Sequence, residues 1–178
     1  LAGGSFTTIA NNVALSNYTD HTVTAGTTYY YVVTAVDTSD NESGQSNQVW
    51  ATSPMELISE DRPVTASSIN GGYLPENGND GSLATMWNAS DSSYPQWWCV
   101  DLGSVQRINK VVIDWYDRTA RSYQYRIEIS DDDVNYRTVI DATGNTTEGK
   151  TANTFTASAR YVRVSVTCST SGWAAFWE

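Results

Sequence analysis

The sequence predicts an all-β protein built from two modules, and three observations carry that expectation. Apolar residues recur in short alternating runs, as a half-buried strand requires. Clusters of Gly, Asn, Asp and Ser interrupt those runs at hairpin intervals. No stretch reads as an amphipathic helix. The composition allows a packed core, since 40% of the 178 residues are apolar, and domains run roughly 100 to 150 residues at the mode.

The elements follow in order. Residues 29–36 (YYYVVTAV) alternate as a strand, 37–44 (DTSDNESG) read as a turn, and 46–52 (SNQVWAT) as a second strand. A linker is expected at Ser53-Pro54, with a second module from about Met55. Its strand candidates are 97–102 (WWCVDL), 108–116 (INKVVIDWY), 123–130 (YQYRIEIS), 136–141 (YRTVID) and 160–167 (RYVRVSVT). Residues 130–136 (SDDDVNY) have the composition of a hairpin turn; a solvated turn is preferred there over a calcium loop. Trp87, Trp98 and Trp115 are expected in the core, Trp115 because it shares parity with Val111 and Ile113.

Charge excludes some partners. The net charge is −10; residues 1–54 carry four acids and no base, leaving sixteen acids against ten bases after them. A net-negative surface argues against nucleic acid, whose phosphates must be neutralised, and disfavours an anionic bilayer. No apolar run approaches the ~20 residues of a membrane span. Cys99 and Cys168 are the only cysteines, in a Ser/Thr-rich and Lys-poor chain. One such pair fits an exported protein with a single disulfide. The alternative is two free thiols, because a bridge requires the strands of Cys99 and Cys168 to be neighbours.

Residues 75–85 (PENGNDGSLAT) gather the oxygens that calcium prefers: the Asp80 carboxylate, Ser82, Thr85 and carbonyls around Asn77. Gly78 and Gly81 let the backbone curl so that carbonyls converge. The alternative is an Asx-type turn without an ion. Transition metals are disfavoured because the second module contains no His.

This Asp-rich loop, followed by residues 95–103 (PQWWCVDLG) entering a strand, resembles the discoidin (F5/8 type C) fold and its family 32 carbohydrate-binding modules, over about residues 57–178. The resemblance implies a jelly-roll β-sandwich with one structural calcium. It adds the Trp177 carbonyl and the Glu178 carboxylate to Asn77, Asp80, Ser82 and Thr85 as ligands. Residues 24–52 resemble the back half of a fibronectin type III domain, so the expected division is 1–53 and 55–178, the latter ending at the entry to its last strand.

A sugar site needs an exposed aromatic ring to stack on C–H faces and polar groups to pair with hydroxyls. Loop aromatics supply candidates: Tyr73 in 70–78 (NGGYLPENG), Tyr116 in 115–123 (WYDRTARSY) and Trp173 in 168–176 (CSTSGWAAF). By the family resemblance, Trp173 matches the stacking aromatic, Arg118 or Arg121 the arginine that grips a ring hydroxyl, and Asp117 an acceptor. No catalytic constellation assembles: His21 has no partner nucleophile, and GxSxG and HExxH are absent. The expected function is non-catalytic glycan binding in a secreted or surface protein, serving an upstream polysaccharide-degrading domain. The alternative is a structural role in an extracellular filament, with neighbouring copies as partners.

Overall fold

The computed structural model describes residues 5–24, 26–54 and 56–178. The chain separates into two compact units, Leu1–Leu57 and Ile58–Glu178. The expected module start at Met55 lies outside the described residues.

In the first unit, β1 (Thr28–Tyr31) pairs antiparallel with β2 (Val49–Thr52), placing Tyr30 opposite Trp50. The turn between them closes with a bridge from Val36 to Glu42. Asp37 organises it by accepting the Ser39 and Asn41 amides at 2.8 and 3.0 Å.

The second unit holds β3 (Val64–Ala66), β4 (Trp87–Asn88), β5 (Gln96–Asp114), β6 (Tyr123–Ser130), β7 (Arg137–Ala142), β8 (Lys150–Ser169) and β9 (Ala175–Phe176). Five strands form one sheet in the order β3-β5-β8-β6-β7, and β4 pairs with β9. Among the described residues the single helical element is a 3-10 turn at Pro75–Gly78.

Two expected strands, 97–102 and 108–116, prove to be halves of β5. The chain bends between them, with a register shift from Asp101 to Gln106 against β8. Gly103, at φ +82, provides the left-handed residue this bend requires. The sequence shows the two apolar ends and a polar middle, which reads as a loop.

Inward residues alternate as a half-buried sheet dictates. Tyr123, Tyr125, Ile127 and Ile129 of β6 are buried, as are Val162, Val164 and Val166 of β8. Trp87, Trp98 and Trp115 are core residues. All three surround the Phe176 ring, with centroids at 5.3, 5.4 and 6.0 Å. Burying an aromatic of this size contributes roughly 1.5–3 kcal/mol.

The expected disulfide is corrected by the strand register. Cys99 and Cys168 are both free. Cys99 on β5 lies opposite Arg163 of β8, and Cys168 sits five residues further along β8, opposite Gln124. At ~3.3 Å per residue that offset is about 16 Å, whereas bridged Cα atoms lie within about 7 Å. Cys99 instead packs beneath Tyr136, whose hydroxyl is 3.2 Å from its sulfur.

Candidate functional site

The ion-loop candidates converge. The 3-10 turn leads into Asp80, whose Oδ1 accepts the Ser82 amide at 2.9 Å and whose Oδ2 accepts the Thr85 hydroxyl at 2.7 Å. The Glu178 carboxylate reaches the same loop, taking the Ser82 amide at 3.1 Å and the Gly81 amide as well. Asn77 staples the loop, its side-chain amide donating to the Met86 carbonyl at 3.1 Å. Gly81 has φ +73, a left-handed conformation that strains residues bearing a Cβ.

Trp177 holds the other side. Its amide donates to the Asp114 carbonyl at 2.7 Å, and the Asp114 amide returns a bond to the Glu178 carbonyl. Burial pushes the Glu178 carboxyl above its ordinary value, and the neighbouring Asp80 charge adds to the effect. Two carboxylates meeting in a half-buried loop suit a divalent cation, which would relieve both burial and repulsion. No group of three or more His, Cys, Asp or Glu converges among the described residues. The remaining ligands would therefore be hydroxyl and carbonyl oxygens, a hard donor set appropriate to calcium.

The expected glycan-site residues divide into neighbouring groups. Tyr116, Asp117 and Arg118 line a cleft of about 410 Å³ together with Leu83 and Trp177. The Tyr116 and Trp177 rings lie 5.5 Å apart. Arg118 is held by its Nε bond to Asp114 Oδ1 at 2.6 Å. Asp114 is buried and also has Lys150 Nζ at 3.7 Å. Asp117 adopts φ +57 at the tip of the loop and caps it by accepting the Ala120 and Arg121 amides through its carbonyl.

Trp173 lies in the β8–β9 loop and is 37% exposed, the most accessible of the aromatics in that region apart from Tyr73 at 44%. Tyr73 closes the Asn70–Tyr73 turn, which leans on β4 through the Asn70-to-Asn88 and Asn88-to-Tyr73 backbone bonds. On the other side of β4, Ala89 bonds to Ala174. Tyr73 and Trp173 therefore flank the same short strand. Arg121 lies beneath Gly172, with its side chain only 19% exposed.

Three contributors escaped the sequence reading. Leu83 forms the cleft wall from within the Asp80 loop, and the Trp177 ring lies tilted against Tyr116. Tyr94 donates its hydroxyl to the Gly172 carbonyl at 3.0 Å. Only Leu83 carried a sequence signal, as an apolar residue in an otherwise polar loop.

Residues 63–178 match the F5/8 type C domain. Among solved structures, the fold is similar to chitosan-binding module 1 from a chitosanase/glucanase of Paenibacillus sp. IK-5. That pair shares 34% identity and a TM-score of 0.63, covering 69% of this chain and 96% of that one. It is also similar to the CBM32 of AlyQ, in complex with 4,5-unsaturated mannuronic acid, at 31% identity and a TM-score of 0.58, covering 67% and 93% of the two chains. A stretch of 49 residues, 28% of this chain, is 53% identical to an amylopullulanase of Thermoanaerobacter thermohydrosulfuricus. The chain spans only 3% of that relative's length.

Proposed function

The chain belongs to the F5/8 type C domain family, and on that footing we propose that it is a non-catalytic carbohydrate-binding module whose site lies on the loops around β4 and β9. The observation that carries this reading is the placement of an exposed Trp173 on a loop braced by Arg121, beside a cleft walled by Tyr116 and Trp177. Rings of this kind stack on the C–H faces of a sugar, while Asp117 and Arg118 offer an acceptor and donors to its hydroxyls. The relatives named for chitosan and for an unsaturated mannuronic acid support a polysaccharide as the ligand class.

The role is binding, and the work it performs is to raise the effective concentration of a tethered domain at its polymer. Affinity per module is weak, because a shallow site buries little area. A secreted polysaccharide-degrading parent fits the resemblance to the amylopullulanase stretch. Residues 1–53 fit the closing strands of a fibronectin type III sandwich, with β1 and β2 antiparallel around the Asp37 turn.

Calcium fits the loop at 77–85 as a structural ion. Asp80 and Glu178 would hold it through carboxylates, Asn77 and Trp177 through carbonyls, and Ser82 and Thr85 through oxygens. When bound, it would neutralise the paired carboxylates and fix the loop. The chain's own residues do the rest: Trp177 joins the ion loop to the cleft, since its ring faces Tyr116 while its amide is tied to Asp114.

Affinity electrophoresis of the chain through gels containing chitosan, alginate, pectin or starch tests the proposal. Retardation by at least one polymer that weakens about tenfold in Trp173→Ala, the scale of losing a stacked aromatic anchor, is the expected result. Free migration in every gel would sink the glycan reading and favour a structural role in an extracellular assembly.

A further inference from the structure

This inference rests on the glycan-binding reading and assigns Arg121 a role within it. An arginine in this loop is expected to grip a sugar hydroxyl, yet the Arg121 guanidinium is committed to protein on several sides. Gly172 has φ +71, and a Cβ there would lie 2.7–2.8 Å from three guanidinium atoms, Cζ, Nη1 and Nη2. Such equal approach means that the flat face of the cation rests on the bare Gly172 backbone. Nε donates to Ser171 Oγ at 3.1 Å. The Tyr116 ring centroid is 5.2 Å from Cζ, and Asp117 Oδ2 is 3.8 Å from Nε. Tyr94 also secures this segment, donating its hydroxyl to the Gly172 carbonyl.

We propose that Arg121 is a positioning residue that clamps Ser171–Gly172 against Tyr116 and so sets the orientation of the adjacent Trp173, without touching the glycan. The shape of the group explains why an arginine is needed. A planar guanidinium lies flat on a glycine backbone and against a ring while Nε still points sideways at Ser171. The compact, strongly hydrated ammonium of a lysine does none of these together. Glycine is required on the other side, both for its positive φ and for the absent Cβ. The two residues are therefore one device, and either can be changed to break it.

The test uses the full chain in affinity gels of chitosan, alginate, pectin and starch, read with whichever polymer retards the wild type, plus amide hydrogen exchange of the unliganded protein. Arg121→Ala, Arg121→Lys and Gly172→Ala should each weaken binding about tenfold, the scale of losing a stacked aromatic anchor. The double variant Arg121→Ala/Trp173→Ala should bind no worse than Trp173→Ala alone, because the arginine acts only through the tryptophan. Amides of Ser171 to Trp173 should exchange faster in all three single variants. Wild-type-like binding by Arg121→Lys would overturn the proposal, showing that charge alone suffices. So would a further tenfold loss in the double variant, the mark of a direct sugar contact. A wild-type chain that binds none of the four polymers would count against the glycan reading itself. Exchange at Ser171 to Trp173 unchanged in the variants would separately count against the clamp.

Discussion

The Glu178 carboxylate accepts the backbone amide of Ser82 at 3.1 Å, across 96 positions of sequence. This contact joins the segment after β9 to the loop that precedes β4, and it brings a second carboxylate beside Asp80. Calcium should therefore stabilise the fold measurably. At about 100 times its Kd, a ligand adds about 2.7 kcal/mol, or roughly 10 °C in Tm for a unit of about 120 residues. Scanning calorimetry with calcium and with chelator measures the increment, and Glu178→Gln should remove most of it. Identical Tm values in both buffers would leave the loop as an Asx-type turn.

The thiols should be distinguishable chemically. Burial pushes Cys99 up to about 11, and the thiolate is the reactive species. Cys168 is exposed. Titration with a disulfide reagent should modify one thiol per native chain and two after denaturation. No reactive thiol in either state would restore the disulfide.

Gly78 should tolerate no side chain. A Cβ there would meet Phe176 Cε2 at 2.7 Å and Trp98 Nε1 at 3.1 Å, and overpacking of this kind costs about 1–3 kcal/mol. Phe176→Ala, which opens a cavity among three tryptophans, should cost about 3–5 kcal/mol. Urea unfolding monitored by tryptophan fluorescence measures both, and a midpoint unchanged in Gly78→Ala would contradict the packing described.

Acid should weaken the sheet through Asp101. Bonds from Arg160 at 2.7 Å, with a contribution from the Gly103 amide, hold its carboxyl below the ordinary carboxylate range. A depressed carboxyl stabilises the fold above its unfolded pKa, and that share is lost as pH falls through the folded value. Between about pH 5 and about pH 2, Asp101→Asn should therefore lose less Tm than wild type. Parallel losses in the two proteins would show that the pair contributes nothing to the acid limb.

Much of this architecture was legible in local pattern. Residues 123–130 alternate so regularly that β6 has the expected bounds, and Trp115 follows its parity into the core. What local pattern lacks is register. Whether Cys99 meets Cys168 depends on which residues of β5 and β8 face each other, and no feature near either cysteine encodes that. The first half of β8, Lys150–Ser158, was missed because Thr, Asn and Ala alternate there with little apolar contrast. At the site, residue types singled out loops that the structure brings together around β4 and β9. The distinction between Arg118, half-exposed at the cleft, and Arg121, folded under Gly172, arises from a backbone conformation set by the fold as a whole.

The bent course of β5 and β8 has a mechanical consequence. Both strands continue past the Asp101–Gln106 bend, paired from Gln96 with Val166 to Asp101 with Tyr161 and again from Gln106 with Ala159 to Asp114 with Lys150. The two halves of β5 and β8 thus share a pair of continuous backbones on either side of the bend. On the proposed glycan-binding reading, a pull applied at one loop is spread over the β5–β8 hydrogen bonds on both sides of the bend. The anchorage should therefore yield at the sugar long before the protein fold does.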